Sequence, residues 1–244
     1  MTLAIIERKG LNVVNTETLV GEAGDAINDN FYTIGDRLET LESSPTFTGD
    51  VAFSGDVQYL DTFWDDERVP ITSTKLGGSK DPGFEKAFAS GASQGVFTYF
   101  FDPSSEEELY FPVQLPHCWK EGTNIHPHVH WFPKVSGTSG QKVGWGLEYT
   151  WADIGQKFSD TETIFGDQHV PTGDTTLEAG KHYLTPLGEI NGSGYTLSSM
   201  LLCRIFRDAT SSGSTDNYAG DAGLMEVDFH IEKDRPGSRE EYIK

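Results

Sequence analysis

The sequence predicts an all-β protein: a jelly-roll-like β-sandwich preceded by a short N-terminal arm, a helical coiled-coil-like segment and a short β stem. Three observations carry that prediction. From about Phe63 onward, apolar residues alternate with polar ones in short runs broken by Gly, Pro, Asn and Asp, the texture of strands and turns. A helical period occurs once, between Ile27 and Leu41. A six-residue repeat follows it directly.

Residues 1–26 hold an apolar run (Leu3, Ile5, Ile6), the alternating Leu11, Val13 and Val14, and a Gly-Glu-Ala-Gly turn. This is too little to close a core, so the segment reads as an anchoring arm that orders against a neighbour. In residues 27–60, Ile27, Phe31, Ile34, Leu38 and Leu41 follow the narrow spacing of a heptad seam. Ser44-Pro45 ends that helix, because the residue before a proline is pushed out of the α region. Thr46-Phe47-Thr48-Gly49-Asp50-Val51 is then echoed by Ala52-Phe53-Ser54-Gly55-Asp56-Val57, with Phe47, Val51, Phe53 and Val57 on one parity. A helix of about four turns is marginal alone in water, and one strand cannot bury its own apolar face. Both halves of the stem therefore call for other copies of the chain.

Residues 61–244 read as the β domain. Val96–Phe101, Leu109–Leu115, Val143–Trp151, Met200–Phe206 and Met225–Ile231 are the clearest strands, with weaker runs at 68–72, 161–170 and 183–190. Met200–Phe206 is apolar on both parities, which predicts a central strand covered on both sides. The segments 77–95, 136–142, 172–181 and 207–223 read as long polar loops, working surfaces or tolerated insertions. Glu106-Glu107-Glu108 reads as a solvated turn, and Cys118 and Cys203 as small buried hydrophobes, with a disulfide left open.

Charge narrows the partners. A net charge of −20 with 18 Lys and Arg in 244 residues offers no footprint for nucleic acid and repels anionic membranes. No run reaches the roughly 18 apolar residues of a membrane span, and no secretory leader is legible, so synthesis in the cytosol is expected.

The sharpest chemical signal is His126-Pro127-His128-Val129-His130-Trp131. On a strand the three histidines share one face and the intervening residues the other. Neighbouring pairs at i and i+2 suit a zinc or iron ion, but His126 and His130 lie ~13 Å apart along an extended strand, so a metal site needs a further ligand such as His230 or Glu226. The alternative is a polar strand face at a subunit contact. Asp208, Asp216 and Asp221 offer calcium ligands without a calcium-loop spacing. No nucleophile elbow is legible, and the chain is expected not to be an enzyme.

Ala26-Ile27-Asn28-Asp29-Asn30-Phe31, leading through Leu41 to Ser44-Pro45-Thr46-Phe47-Thr48-Gly49, resembles the helix and the SPTFTG segment near the stems of bacteriophage tail-fibre and other virion proteins. Residues 68–84, the histidine strand and Cys203–Ala209 resemble a β domain recurring in phage structural proteins. The resemblance implies a virion component, assembled in the host cytoplasm, of fibre, spike or decoration type: a homotrimer that meets other virion proteins through its arm. Head, collar and tail all remain open as its place. A receptor- or glycan-binding module of a tail fibre is the alternative, with Trp64, Trp119 and Tyr218 as stacking platforms. A cupin-like metal-dependent enzyme is the third reading, resting on the Gly122 to His130 run, and an ion on the histidine strand is the one cofactor considered.

Overall fold

The computed structural model describes residues 57–59, 61–169, 175–241 and 243, all within one compact unit of the chain, Gly55–Lys244. The predicted arm and the stem residues Ile27, Phe31, Ile34, Leu38, Leu41, Phe47, Val51 and Phe53 lie outside the described residues. Val57 is half-buried and belongs to no strand. Nearby, Tyr59 donates its backbone N–H to the Asp234 carbonyl at 2.7 Å.

The described chain is all-β, its one helical piece a 3-10 turn at Ile71–Ser73. Eleven strands form two antiparallel sheets. One runs β3 (Gly83–Phe88), β4 (Val96–Phe101), β11 (Ala222–Lys233), β6 (His126–Pro133), β9 (Tyr183–Pro186), with β1 (Phe63–Pro70) also paired to β11. The other runs β2 (Lys75–Leu76), β5 (Glu108–Gln114), β10 (Met200–Arg207), β7 (Trp145–Ala152), β8 (Glu162–Gly166). From β4 onward every connection crosses to the other sheet except the one from β7 to β8. Among the described residues no helix is long and apolar enough to cross a membrane.

The core is what the alternation demands. Val129 and Trp131 of β6, Trp145, Leu147, Tyr149 and Trp151 of β7, Leu201, Cys203 and Ile205 of β10, and Val227, Phe229 and Ile231 of β11 belong to one buried cluster, each large side chain worth about 1.5–3 kcal/mol on burial. Of the buried tryptophans, Trp131 donates its N–H to Thr185 Oγ1 at 2.8 Å and Trp151 to Ser199 Oγ at 2.9 Å, whereas the N–H groups of Trp119 and Trp145 have no protein partner among the described residues. Gly146 lies where the Phe206 ring crosses the sheet; a Cβ there would stand 2.2 Å from the ring.

Several expectations are corrected. Segment 77–95 is not all loop, since Gly83–Phe88 forms β3, an edge strand too exposed to show alternation. β10 is central, between β5 and β7, but it is not covered on both sides, because Leu202 remains 47% exposed on the outer face. In β11 the inner stripe is Ala222 and Leu224, then Val227, Phe229 and Ile231. A bulge between Leu224 and Glu226 shifts the phase and leaves Met225 off the core. Both cysteines are free, Cys203 buried and Cys118 half-buried.

Candidate functional site

Two outer faces carry chemistry. On the β6/β11 face, the inward demand of Pro127, Val129 and Trp131 turns His126, His128 and His130 outward, each half-buried. The register sets His126 opposite His230, His128 opposite Asp228 and His130 opposite Glu226. Beyond β11, β1 sets Asp66 opposite His230 and Arg68 opposite Asp228. His182, just before β9, completes a face that holds five of the seven histidines.

These groups sort into two clusters. In the first, His230 Nδ1 lies 2.7 Å from Asp66 Oδ1, the Trp64 ring stacks on His230 at 5.1 Å, and His126 Nδ1 lies 3.6 Å from Glu189 Oε1. In the second, Asp228 Oδ2 stands 3.2 Å from His130 Nε2 and 3.7 Å from His128 Nε2, and His130 Nδ1 is 2.7 Å from His182 Nε2. Burial pushes the His128 imidazole below its ordinary pKa, against the pull of the Asp66 carboxylate, and burial with the neighbouring His130 does the same to His182. Asp228 is 4% exposed, and its Oδ1 has no hydrogen-bond partner.

Of the three predicted histidines, the structure brings His128 and His130 together and leaves His126 beside Glu189. The acidic or imidazole group set beside them is neither His230, which meets Asp66, nor Glu226, which binds Arg68 at 2.6 Å, but Asp228. Its outward parity in the Met225–Ile231 run was legible. The β6 to β11 pairing that places it opposite His128 was not.

The second face is a groove of about 590 Å³ across the outside of β5, β10 and β7, lined by Lys75, Lys80, Glu108, Tyr110, Glu148 and Arg204. Arg204 organises it. Its Nη1 donates to Glu108 at 2.7 Å and to Glu106 at 3.1 Å, and its Nε donates to Glu148 at 2.7 Å. Burial pulls the guanidinium pKa down, and these three carboxylates more than reverse that. Tyr110, 38% exposed, donates its hydroxyl to Glu108 at 2.7 Å. The Glu106–Glu108 stretch is therefore no solvated turn: Glu108 is 7% exposed and Glu107 accepts the Asp102 N–H at 2.8 Å.

Other sequence candidates dissolve into the framework. The three aspartates read for calcium are each committed to protein donors: Asp208 to Ser212, Gly213 and Ser214, Asp216 to Arg207, and Asp221 to Lys134. Trp119 and Tyr218 are no stacking platforms, being 0% and 2% exposed; Trp64 is exposed, with its ring against His230. His117 bridges the hydroxyls of Ser238 (2.6 Å) and Ser198 (2.9 Å).

No protein-family model matches this sequence, and no curated protein does. Among solved structures the chain is similar to TmCBM61 in complex with β-1,4-galactotriose, at 12% identity, over 70% of this chain and 88% of that one, with a TM-score of 0.27. At that score the likeness carries no argument, and the reading below rests on the strands and side chains themselves.

Proposed function

We propose that this chain is a structural and interaction component of a phage virion, a homotrimer of fibre, spike or decoration type that displays a jelly-roll domain on a self-associating stem. The observation that carries it is a division of labour along the sequence. The sandwich closes its own core, with four tryptophans essentially buried. Residues 27–59, with the Ile27 to Leu41 seam and the Phe47 to Val57 repeat, cannot close a core alone. Association is therefore the work of the stem, and display that of the domain. The strand orders β4-β11-β6-β9 and β5-β10-β7-β8, with the chain crossing between them, support the jelly-roll reading. The resemblance of the stem supplies the virion setting, and the arm 1–26 the contact with other virion proteins. We read the protein as non-catalytic.

Light scattering on the full chain should return a trimer, and removal of residues 1–60 a folded, more weakly associating domain. A monomeric full-length protein would count against the stem. Deletion of residues 1–26 should abolish joining to particles; incorporation at normal copy number without them would refute the anchoring role.

The groove favours a second reading, a glycan- or receptor-binding module. Its size suits a small ligand, Arg204 holds carboxylates ready to accept sugar hydroxyls, and the exposed Tyr110 ring offers a stacking surface. On a glycan array the protein should bind a defined set of sugars, and Tyr110→Ala should lose that signal while melting within a few degrees of the parent. A blank array for the parent protein would remove this reading.

A further inference from the structure

We propose that His128, His130 and Asp228 form a binding site for a divalent transition-metal ion of the zinc class. The inference is independent of the virion reading, since it rests on one face of the sandwich. The ligand atoms of the three residues all lie within 4.8 Å of one another. Donors on a tetrahedral ion with bonds of about 2.0–2.2 Å stand roughly 3.3–3.6 Å apart. The Asp228 Oδ2 distances to His130 and His128, 3.2 and 3.7 Å, sit on either side of that range.

The decisive group is Asp228. A carboxylate only 4% exposed, with one oxygen lacking any partner, carries a desolvation cost that something must offset. The cation nearest in register does not do so: Arg68, opposite Asp228 on β1, turns instead to Glu226. Two imidazole Nε2 atoms face Oδ2 of the same carboxylate, and an ion held by the three would offset the charge that burial leaves on Asp228. The site is built on two long paired strands, so its geometry is held by backbone register.

The His130–His182 contact supplies the outer support that metal-binding histidines require. A hydrogen bond at Nδ1 (2.7 Å) orients the ring and leaves Nε2 as the ligand. Two imidazoles and one carboxylate suit zinc, cobalt, iron, nickel or copper rather than calcium or magnesium, which take oxygen ligands. The His128 and His130 side chains are 12% and 20% exposed. A fourth position therefore opens outward, fit for water or for an oxygen donor from a ligand.

The test uses the full chain stripped with a chelator, titrated with cobalt chloride in the visible and with zinc chloride by calorimetry. The expected result is saturation near one ion per chain, with the cobalt bands of a low-coordinate site, and no competition from excess magnesium. Asp228→Asn and His130→Gln should weaken zinc binding by more than about 100-fold, while His182→Ala should weaken it by about 10–100-fold. His126→Gln, outside the set, should bind as the parent does. If Asp228→Asn fails to fold in chelator, the parent's cobalt spectrum decides alone. Absence of those bands, unchanged zinc affinity in a folded Asp228→Asn, or an equal loss in His126→Gln would overturn the proposal.

Discussion

Replacing Arg207 with methionine should cost about 3–5 kcal/mol of folding free energy, the usual result of stranding one partner of a buried ion pair. Arg207 is 0% exposed, and all five of its N–H donors are used. Nε and Nη2 grip the two oxygens of Asp216 at 2.8 and 2.9 Å, and the remaining donors reach the carbonyls of Phe101, Gly220 and Tyr218 at 3.0, 2.7 and 2.5 Å. The methionine variant leaves the Asp216 carboxylate, 2% exposed, without its counter-charge, and removes the Arg207 N–H groups from three carbonyls. In a domain of this size that corresponds to a melting point lower by roughly 6–20 °C. Urea unfolding with an unchanged m-value would confirm that stability alone has moved. Adding Asp216→Asn should recover part of the loss, because no charge is then buried unpaired. A single variant within about 1 kcal/mol of the parent would show that the 207–223 loop is not held as described.

That loop marks the boundary of what could be read in advance. Alternation exposed the strands that lie half-buried on one sheet: β7 places Trp145, Leu147, Tyr149 and Trp151 inward and Glu148 and Thr150 outward, as its sequence implies. Edge strand β3 was missed because almost nothing in it is buried, so no period marks it. The residues that close the ends of the sandwich were missed for the opposite reason. Trp119 and Tyr218 sit in polar, Gly-rich or Pro-flanked surroundings that read as loop, yet they are buried by elements far away in sequence. Arg207 reads in sequence as the first residue of the polar loop 207–223. Its burial depends on Asp216 and three carbonyls meeting it, and no local pattern encodes that. The candidate metal set divides in the same way: His128 and His130 were visible as an i, i+2 pair, whereas Asp228 joins them only through the pairing of β6 with β11.

Asp208 should give the same loop an acid-sensitive hold. The side chain is 0% exposed. Its Oδ1 accepts the Ser212 N–H at 2.8 Å and hydroxyl at 2.7 Å, while Oδ2 accepts N–H groups from Gly213 at 2.9 Å and Ser214 at 2.8 Å, and the Ser214 hydroxyl at 2.8 Å. Burial pushes this carboxyl up, but hydrogen bonds led by the Gly213 N–H outweigh it and hold the group below its ordinary 3.8. A depressed folded-state pKa means that the unfolded chain takes up the proton first. The stabilisation is thus complete above the unfolded value and disappears as pH falls through the folded one, a window below about pH 4. Asp208→Asn cannot titrate and presents an amide N–H₂ to groups that are themselves donors, so at pH 7 it should be less stable than the parent by about 2–4 kcal/mol. The gap between the two proteins should narrow as the parent is acidified from pH 4 toward pH 2, because a protonated aspartic acid presents nearly the same hydrogen-bonding pattern as asparagine. Parallel urea titrations at several pH values measure that gap directly. A difference that stays constant across the acid limb would mean that the Asp208 carboxylate is not what secures the turn.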